Sequence, residues 1–167
     1  MSKLLEVKNL STSFFTKYGE VKAVNNVSFD LDEGEVLAIV GESGSGKSVT
    51  SFSIMQLIAK GGKVVNGEIL FNGQDLTKLS DKEMTKIRGK EISMIFQDPM
   101  TCLNPVFSIG NQMEEVLKLH FKELSREQRK QRCLEMLDKV GIPNPEERLK
   151  QFPHELSGGM RQRVMIA

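Results

Sequence analysis

The pattern of hydrophobic and polar positions changes along the chain from strand-like to helix-like. Residues 4–15 and 21–31 alternate in part and are rich in β-forming types, and the turn Tyr18-Gly19-Glu20 separates them. This arrangement predicts two antiparallel strands. Two shorter apolar runs, Val36–Val40 and residues 91–96, follow later in the chain. Short continuous apolar runs are typical of buried parallel strands in the core of an α/β sheet.

Glycines mark the ends of two further elements. A stretch with near-helical apolar spacing begins at Val49, and Gly61-Gly62 is the expected end of that helix. Residues 67–71 predict a short strand that closes in an Asn72-Gly73 turn. The element order of strands followed by a strand–loop–helix unit favours an α/β fold.

The second half of the chain is predicted to be mostly helical. Four helices are expected to begin directly after residues of N-cap type: Ser80, Ser108, Ser125 and Asn144. Glu83 and Gln128 complete capping boxes for the first and third helices. The second helix has one apolar face, which consists of Ile109, Met113, Val116, Leu117 and His120. Gly141 is the expected end of the third helix, and Pro145 stands at the first position of the fourth.

Composition narrows the class of protein. The chain has 167 residues and a net charge of +1, so nucleic acid is not expected as a partner. The longest apolar runs are about five residues, which is too short to cross a bilayer, and the N-terminus lacks a signal-peptide core. Cys102 and Cys133 are far apart and are expected to be reduced thiols. The chain is therefore expected to be a soluble intracellular domain.

Residues 41–48 carry the chemistry that can be derived from local sequence. They match the phosphate-binding pattern G-x-x-x-x-G-K-[ST] and comprise Gly41, Glu42, Ser43, Gly44, Ser45, Gly46, Lys47 and Ser48. Glycines let backbone N–H groups turn toward phosphate oxygens, and the helix that follows from Val49 adds its positive end. Lys47 is expected on the β- and γ-phosphates of a nucleoside triphosphate, with the Ser48 hydroxyl on Mg²⁺.

A second glycine-rich segment identifies a family. Residues 156–163, which begin Leu156-Ser157-Gly158-Gly159, resemble the LSGGQ-type signature of ABC ATPases. Ser157 is a good N-cap residue, and the two glycines leave the first-turn N–H groups bare as a second phosphate site. In the family, Gln97 corresponds to the Q-loop glutamine, which reaches Mg²⁺ and the attacking water. The resemblance thus implies ATP and Mg²⁺ as cofactors and Lys47 and Gln97 as catalytic residues.

The resemblance also implies a fold and partners. The expected fold is an α/β P-loop NTPase of the ABC ATPase type, with an antiparallel β-subdomain, a helical subdomain and a core that is incomplete at the C-terminus. The lobes are predicted as a β lobe (1–35 and 64–76), a P-loop core (36–60 and 90–98) and a helical lobe (99–167). The family pairs two ATP-binding subunits head to tail, so that each signature closes on the other's γ-phosphate. Its importers work with permease subunits, on the cytoplasmic face of the membrane, and indirectly with an extracytoplasmic substrate-binding protein.

An aromatic side chain near the N-terminus is expected to stack on adenine. Phe14 fits best by its position after Asn9-Leu10-Ser11, with Phe15 and Tyr18 as alternatives. A Phe offers stacking but no hydrogen bond. Simple packing on the face of a strand is the competing interpretation for Phe14.

The finer resemblance is to ATP-binding subunits of bacterial oligopeptide and dipeptide importers. It extends over essentially the whole chain and includes residues 97–105 and 152–160. Cys102 stands where that subfamily more often has Ser. Peptides are the expected cargo, although nickel and glutathione importers share these motifs.

The chain lacks the later motifs of the family, because it stops inside the signature helix. A Walker B strand with its Asp and Glu, and the switch His, are absent, and His120 and His154 precede the signature. We therefore expect these 167 residues to hydrolyse ATP negligibly. The alternatives are a catalytically inactive truncated gene product and a non-transport soluble ABC ATPase.

Overall fold

The computed structural model describes residues 3–96 and 102–167. These residues form two compact units, one that ends at Arg88 and one that begins at Gly89. The predicted division into a β lobe, a P-loop core and a helical lobe stays a prediction. In the part of the chain that is described, no helix has both the length and the apolar character needed to cross a bilayer.

The first unit is built on a four-stranded sheet in the order β2-β1-β3-β4. Its strands are β1 (Lys3–Thr16), β2 (Gly19–Asp32), β3 (Gly62–Phe71) and β4 (Gln74–Asp75). Every pairing is antiparallel, so the predicted hairpin of the first two strands is confirmed. The predicted turn at Asn72-Gly73 is also confirmed, because both residues have positive φ, of 48° and 77°. Such a turn matches the twist of the two strands it joins.

A bulge near the middle of β1 sets which residues face the core. Asn9 has a φ of 51°, and the register of β1 shifts on either side of it. Gly67 of β3 comes so close that a Cβ atom there would lie 2.5 Å from the carbonyl oxygen of Lys8. Because of this extra residue, Val7 and Leu10 are both buried although they are three positions apart. The register of β1 with β2 shifts again on both sides of Thr12, and the neighbouring residues Thr12 and Ser13 are both buried.

The helix that follows the phosphate-binding pattern is shorter than predicted. Helix α1 (Lys47–Ile54) ends well before Gly61-Gly62, and the chain turns at Gln56, whose φ is 50°. Gly62 instead begins β3. The predicted stop was wrong because a non-glycine residue adopts the left-handed conformation, which is uncommon and leaves no clear sequence signal.

A short 3₁₀ turn (Leu76–Lys78) and helix α2 (Asp81–Ile87) complete the first unit. The predicted capping box of α2 is confirmed. The backbone N–H of Ser80 donates to the Glu83 carboxylate at 2.8 Å, and the Ser80 hydroxyl donates to the same oxygen at 2.6 Å.

The two predicted core strands are not observed as strands. Residues 36–40 have no regular structure, and Val36 and Val40 are 93% and 88% exposed. Residues 91–96 form a single bridge at Ile92, and Ile95 is 62% exposed. A strand needs neighbours for its backbone N–H and C=O groups. Among the described residues no strand pairs with either run, so the prediction of buried strands was wrong for this chain.

The second unit is helical, as predicted. It contains α3 (Ile109–His120), α4 (Arg126–Lys139), α5 (Pro145–Arg148), a 3₁₀ turn (Pro153–Glu155) and α6 (Gly158–Ile166). The buried side chains of its core are Ile109, Cys133, Leu137, Ile142, Leu149, Leu156 and Val164. The capping box at Ser125 and the helix end at Gly141, which has a φ of 70°, are confirmed. On the predicted face of α3, Ile109 is fully buried whereas Val116 is 46% exposed.

Candidate functional site

Residues 41–46 form a loop whose backbone conformation strongly favours glycine at two positions. Gly44 and Gly46 have φ values of 80° and 92°, a region that costs other residues strain. A Cβ atom on Gly46 would collide with the carbonyl oxygen of Ala23, which lies on β2. The backbone of the loop is therefore pressed against the sheet, with no side chain between them.

Lys47 turns back over this loop. Its Nζ atom donates to the carbonyl oxygens of Gly41 and Glu42, both at 2.7 Å, and lies 3.4 Å from the Ser45 hydroxyl. The ammonium group thus lies at the centre of the loop, surrounded by its backbone. A positive charge held there meets any anion that the loop encloses.

The beginning of α1 adds a second anion-binding feature. Gly46 is its N-cap residue and offers no side chain to the first-turn N–H groups. These groups have no partner inside a helix, and the helix dipole gives them partial positive charge. The first turn also contains no acidic residue. Loop, lysine and helix start therefore fit the phosphate chain of a nucleotide, and Ser48 in the first turn is exposed.

Fewer groups of this chain could bind Mg²⁺ than could bind the phosphate chain. No cluster of acidic, His or Cys side chains that could hold a metal occurs among residues 3–96 and 102–167. The Ser48 hydroxyl is one oxygen ligand of the kind Mg²⁺ accepts, and phosphate oxygens and water commonly supply the others. Gln97, the other predicted metal-binding residue, lies outside the described residues.

Two interactions that local sequence did not suggest hold α1 in place. Arg88 donates from Nε to the Met55 carbonyl oxygen at 2.7 Å and from Nη2 to the Gln56 carbonyl oxygen at 2.9 Å. These bonds satisfy carbonyls that follow the last helical turn. At the other contact, the Thr12 hydroxyl on β1 lies 2.8 Å from the Ser53 hydroxyl on α1. Neither pair is visible in sequence, because each partner is distant along the chain.

The three aromatic candidates for adenine stacking differ in exposure. Phe14 is half-buried, and a Cβ atom on Gly62 would lie 2.6 Å from its Cε1 atom, so the ring packs over this glycine. Phe15 is 48% exposed with the Lys63 ammonium 4.8 Å from its ring centre. Tyr18 is 89% exposed. The strand-packing interpretation of Phe14 thus has a contact in its favour, and the choice of platform stays a prediction.

The signature segment begins α6 as the sequence predicts. The Ser157 hydroxyl accepts the backbone N–H of Met160 at 3.3 Å, which makes Ser157 the N-cap residue. Gly158 and Gly159 are exposed, and no atom lies within 4 Å of where their Cβ atoms would be. The helix start is therefore open to a ligand, and Leu156 anchors it from the core of the second unit. The role of this start in phosphate binding stays a prediction.

The comparisons with known proteins define the class. The sequence profile described as "ABC transporter" matches residues 24–167. The chain therefore belongs to the ABC transporter family, as the P-loop and signature motifs predicted. A solved structure described as the dimeric structure of MJ0796, a bacterial ABC transporter cassette, is similar with a TM-score of 0.85. It shares 31% sequence identity and covers 97% of this chain and 67% of its own. The predicted fold class is confirmed by this likeness.

Two curated relatives are ATP-binding proteins of peptide transport systems. The oligopeptide transport ATP-binding protein OppD of Bacillus subtilis is 61% identical over 100% of this chain and 47% of its own length. The dipeptide transport ATP-binding protein DppD of the same organism is 58% identical over 100% of this chain and 50% of its own. The chain thus spans about half the length of the curated relatives it matches. The predicted resemblance to oligopeptide and dipeptide importer subunits is confirmed.

Proposed function

We propose that this chain provides the ATP-binding loop of a subunit that drives the import of dipeptides or oligopeptides. The observation that carries the proposal is the position of the Lys47 ammonium, 2.7 Å from two carbonyl oxygens of a loop built on left-handed glycines. The names of these two relatives, an oligopeptide and a dipeptide transport ATP-binding protein, support the class of cargo. Nickel and glutathione are the alternative cargoes.

The residues of the loop act by binding and orienting the phosphate chain. The backbone N–H groups of residues 44–49 hold its oxygens, and Lys47 moves from the loop carbonyls onto the β- and γ-phosphates. The Ser48 hydroxyl and Gln97 hold Mg²⁺, which neutralises phosphate charge when it is bound. Phe14 stacks on the adenine ring.

A second copy, or a paralogous subunit, is needed to complete the site. Ser157, Gly158 and Gly159 form an open helix start that meets the γ-phosphate bound by the partner subunit. A similar solved structure is described as dimeric, which supports this arrangement. Closure of the dimer on ATP moves the permease subunits. The ATP-binding subunits lie at the cytoplasmic face of the membrane.

The binding half of this proposal is tested by titrating the protein with ATP in the presence of Mg²⁺. Lys47→Ala is expected to weaken ATP binding by about 30-fold or more, because a charge-assisted contact of about 2 kcal/mol or more is removed. The matched control is Lys60→Ala, which removes an exposed lysine from the same unit and should leave affinity within about twofold. Circular dichroism checks that both variants are folded. Equal affinity of wild type and Lys47→Ala would contradict the proposal.

A polypeptide of these 167 residues alone is expected to bind ATP without hydrolysing it at a measurable rate. Hydrolysis needs a base that orients the attacking water, and the Walker B Glu that serves as this base in the family is not in this sequence. Phosphate release should therefore stay at the level of a Lys47→Ala control. Turnover by wild type that disappears in Lys47→Ala would contradict this expectation.

A further inference from the structure

The contact between β1 and α1 contains a buried pair of hydroxyl groups. Thr12 and Ser53 are both fully buried, and their oxygen atoms are 2.8 Å apart. The Ser53 hydroxyl also donates to the carbonyl oxygen of Val49 at 2.7 Å. A hydroxyl has only one proton to give, so Thr12 must be the donor in the bond to Ser53. The order of donation is therefore Thr12 to Ser53 to the backbone of α1.

The two hydroxyls belong to the two elements that carry the halves of the proposed nucleotide site. Thr12 lies on β1, two residues before Phe14. Ser53 lies six residues after Lys47 on α1, which corresponds to about 9 Å along the helix axis. One hydrogen bond thus links the strand of the aromatic platform to the helix of the phosphate loop.

A polar contact at this position is directional, whereas an apolar contact would not be. Two neighbouring hydroxyls on α1 bond to their own helix: Thr50 donates to the Gly46 carbonyl oxygen at 3.0 Å and Ser51 to the Lys47 carbonyl oxygen at 3.3 Å. Only a narrow range of separations and angles keeps the Thr12–Ser53 bond. Breaking it leaves a buried polar atom without its partner, so sliding of α1 along β1 is opposed.

We propose that Thr12 and Ser53 are positioning residues that fix the spacing between the adenine platform and the phosphate loop. The inference rests on the proposed function, because it assigns a role within the same nucleotide site. It predicts that the pair contributes to the affinity for a whole nucleotide but not to the affinity for a phosphate chain alone. Loss of the bond lets the platform and the loop shift relative to each other, which a ligand without a base does not sense.

The test compares two ligands, ATP and inorganic tripolyphosphate, each titrated calorimetrically with Mg²⁺ present. Thr12→Val is the main variant, because it removes the hydroxyl with little change of shape while Ser53 keeps its bond to Val49. It should lower ATP affinity about fivefold and tripolyphosphate affinity less than about twofold, within the range of coupling between contacting residues. Thr12→Ser, which retains the hydroxyl, should restore the wild-type ratio of the two affinities.

The matched control is Ser51→Ala, which deletes a hydroxyl from the same helix without touching β1 and should leave the ratio unchanged. A double variant, Thr12→Val with Ser53→Ala, should lower ATP affinity no further than the single changes do, because both remove one bond. An unchanged ratio in Thr12→Val, or equal losses for both ligands, would overturn the inference and leave the proposed function intact. Failure of wild type to bind ATP would overturn the proposed function itself, and this inference with it.

Discussion

At the scale of single residues, Cys133 is notable because its surroundings suppress its chemistry. The side chain is 2% exposed and packs in the core of the helical unit. Burial, with a smaller contribution from the charge of Glu114, raises the pKa of the Cys133 thiol to about 11. The thiolate is the reactive form of cysteine, so this thiol is expected to be inert in the folded protein.

This expectation can be measured in a Cys102→Ser variant, in which Cys133 is the remaining cysteine. At pH 8, a pKa of about 11 leaves roughly one thiol in a thousand ionised, compared with about one in four for an ordinary cysteine. Alkylation by iodoacetamide should therefore be at least about 100-fold slower in the native protein than in concentrated urea. Similar rates in the two conditions would show that Cys133 is not held in the core as described.

At the scale of elements, the start of α2 depends on an ionised carboxylate. The hydroxyl of Ser80, followed by its backbone N–H, holds the pKa of the Glu83 carboxyl below its ordinary value. A group whose folded pKa is lowered stabilises the protein at pH above its unfolded pKa, and this contribution is lost as pH falls through the folded pKa. The capping box should therefore weaken below about pH 4.5, the ordinary pKa of Glu83.

Urea unfolding of wild type and Glu83→Gln at pH 6 and pH 3 tests this pH dependence. Wild type should lose more stability between the two pH values than Glu83→Gln, because the variant has no carboxylate to protonate at this position. The matched control is Glu123→Gln, an exposed acid outside α2, which should follow the wild-type profile. Parallel profiles for wild type and Glu83→Gln would contradict the assigned role.

At the scale of the whole molecule, the exposed apolar run Val36–Val40 predicts how the chain behaves in solution. Val36 is 93% exposed and Val40 is 88% exposed, and the backbone around them forms no strand. Unpaired backbone next to apolar side chains is a template for association with other chains. We expect these 167 residues to self-associate as concentration rises.

Val36→Lys is expected to reduce this self-association, because a charge in an unpaired apolar segment opposes strand addition. Size-exclusion chromatography with light scattering over a concentration series would measure the effect. Tyr18→Lys is the matched control, since Tyr18 is 89% exposed but lies in a hairpin turn away from this segment. The explanation is wrong if both variants suppress association equally.

Elements with a strong local signal were predictable from sequence. The first hairpin, the Asn72-Gly73 turn and the caps at Ser80 and Ser125 all follow from side chains that act within a few residues. The bulge at Asn9 and the early end of α1 at Gln56 were not predictable. In both cases a non-glycine residue adopts positive φ, and the packing around it, not its own preference, makes that conformation favourable.

The sequence alone determined the family and the fold class, and it predicted the phosphate-binding residues, because glycine, lysine and serine at fixed spacing specify backbone geometry and charge locally. Tertiary structure decided how that site is held. The carbonyl contacts of Lys47, the approach of Gly46 to β2, the Arg88 bonds to the end of α1 and the Thr12–Ser53 pair all join distant parts of the chain. Tertiary structure also decided that Val36–Val40 is exposed here, since a strand exists only where neighbours satisfy its backbone.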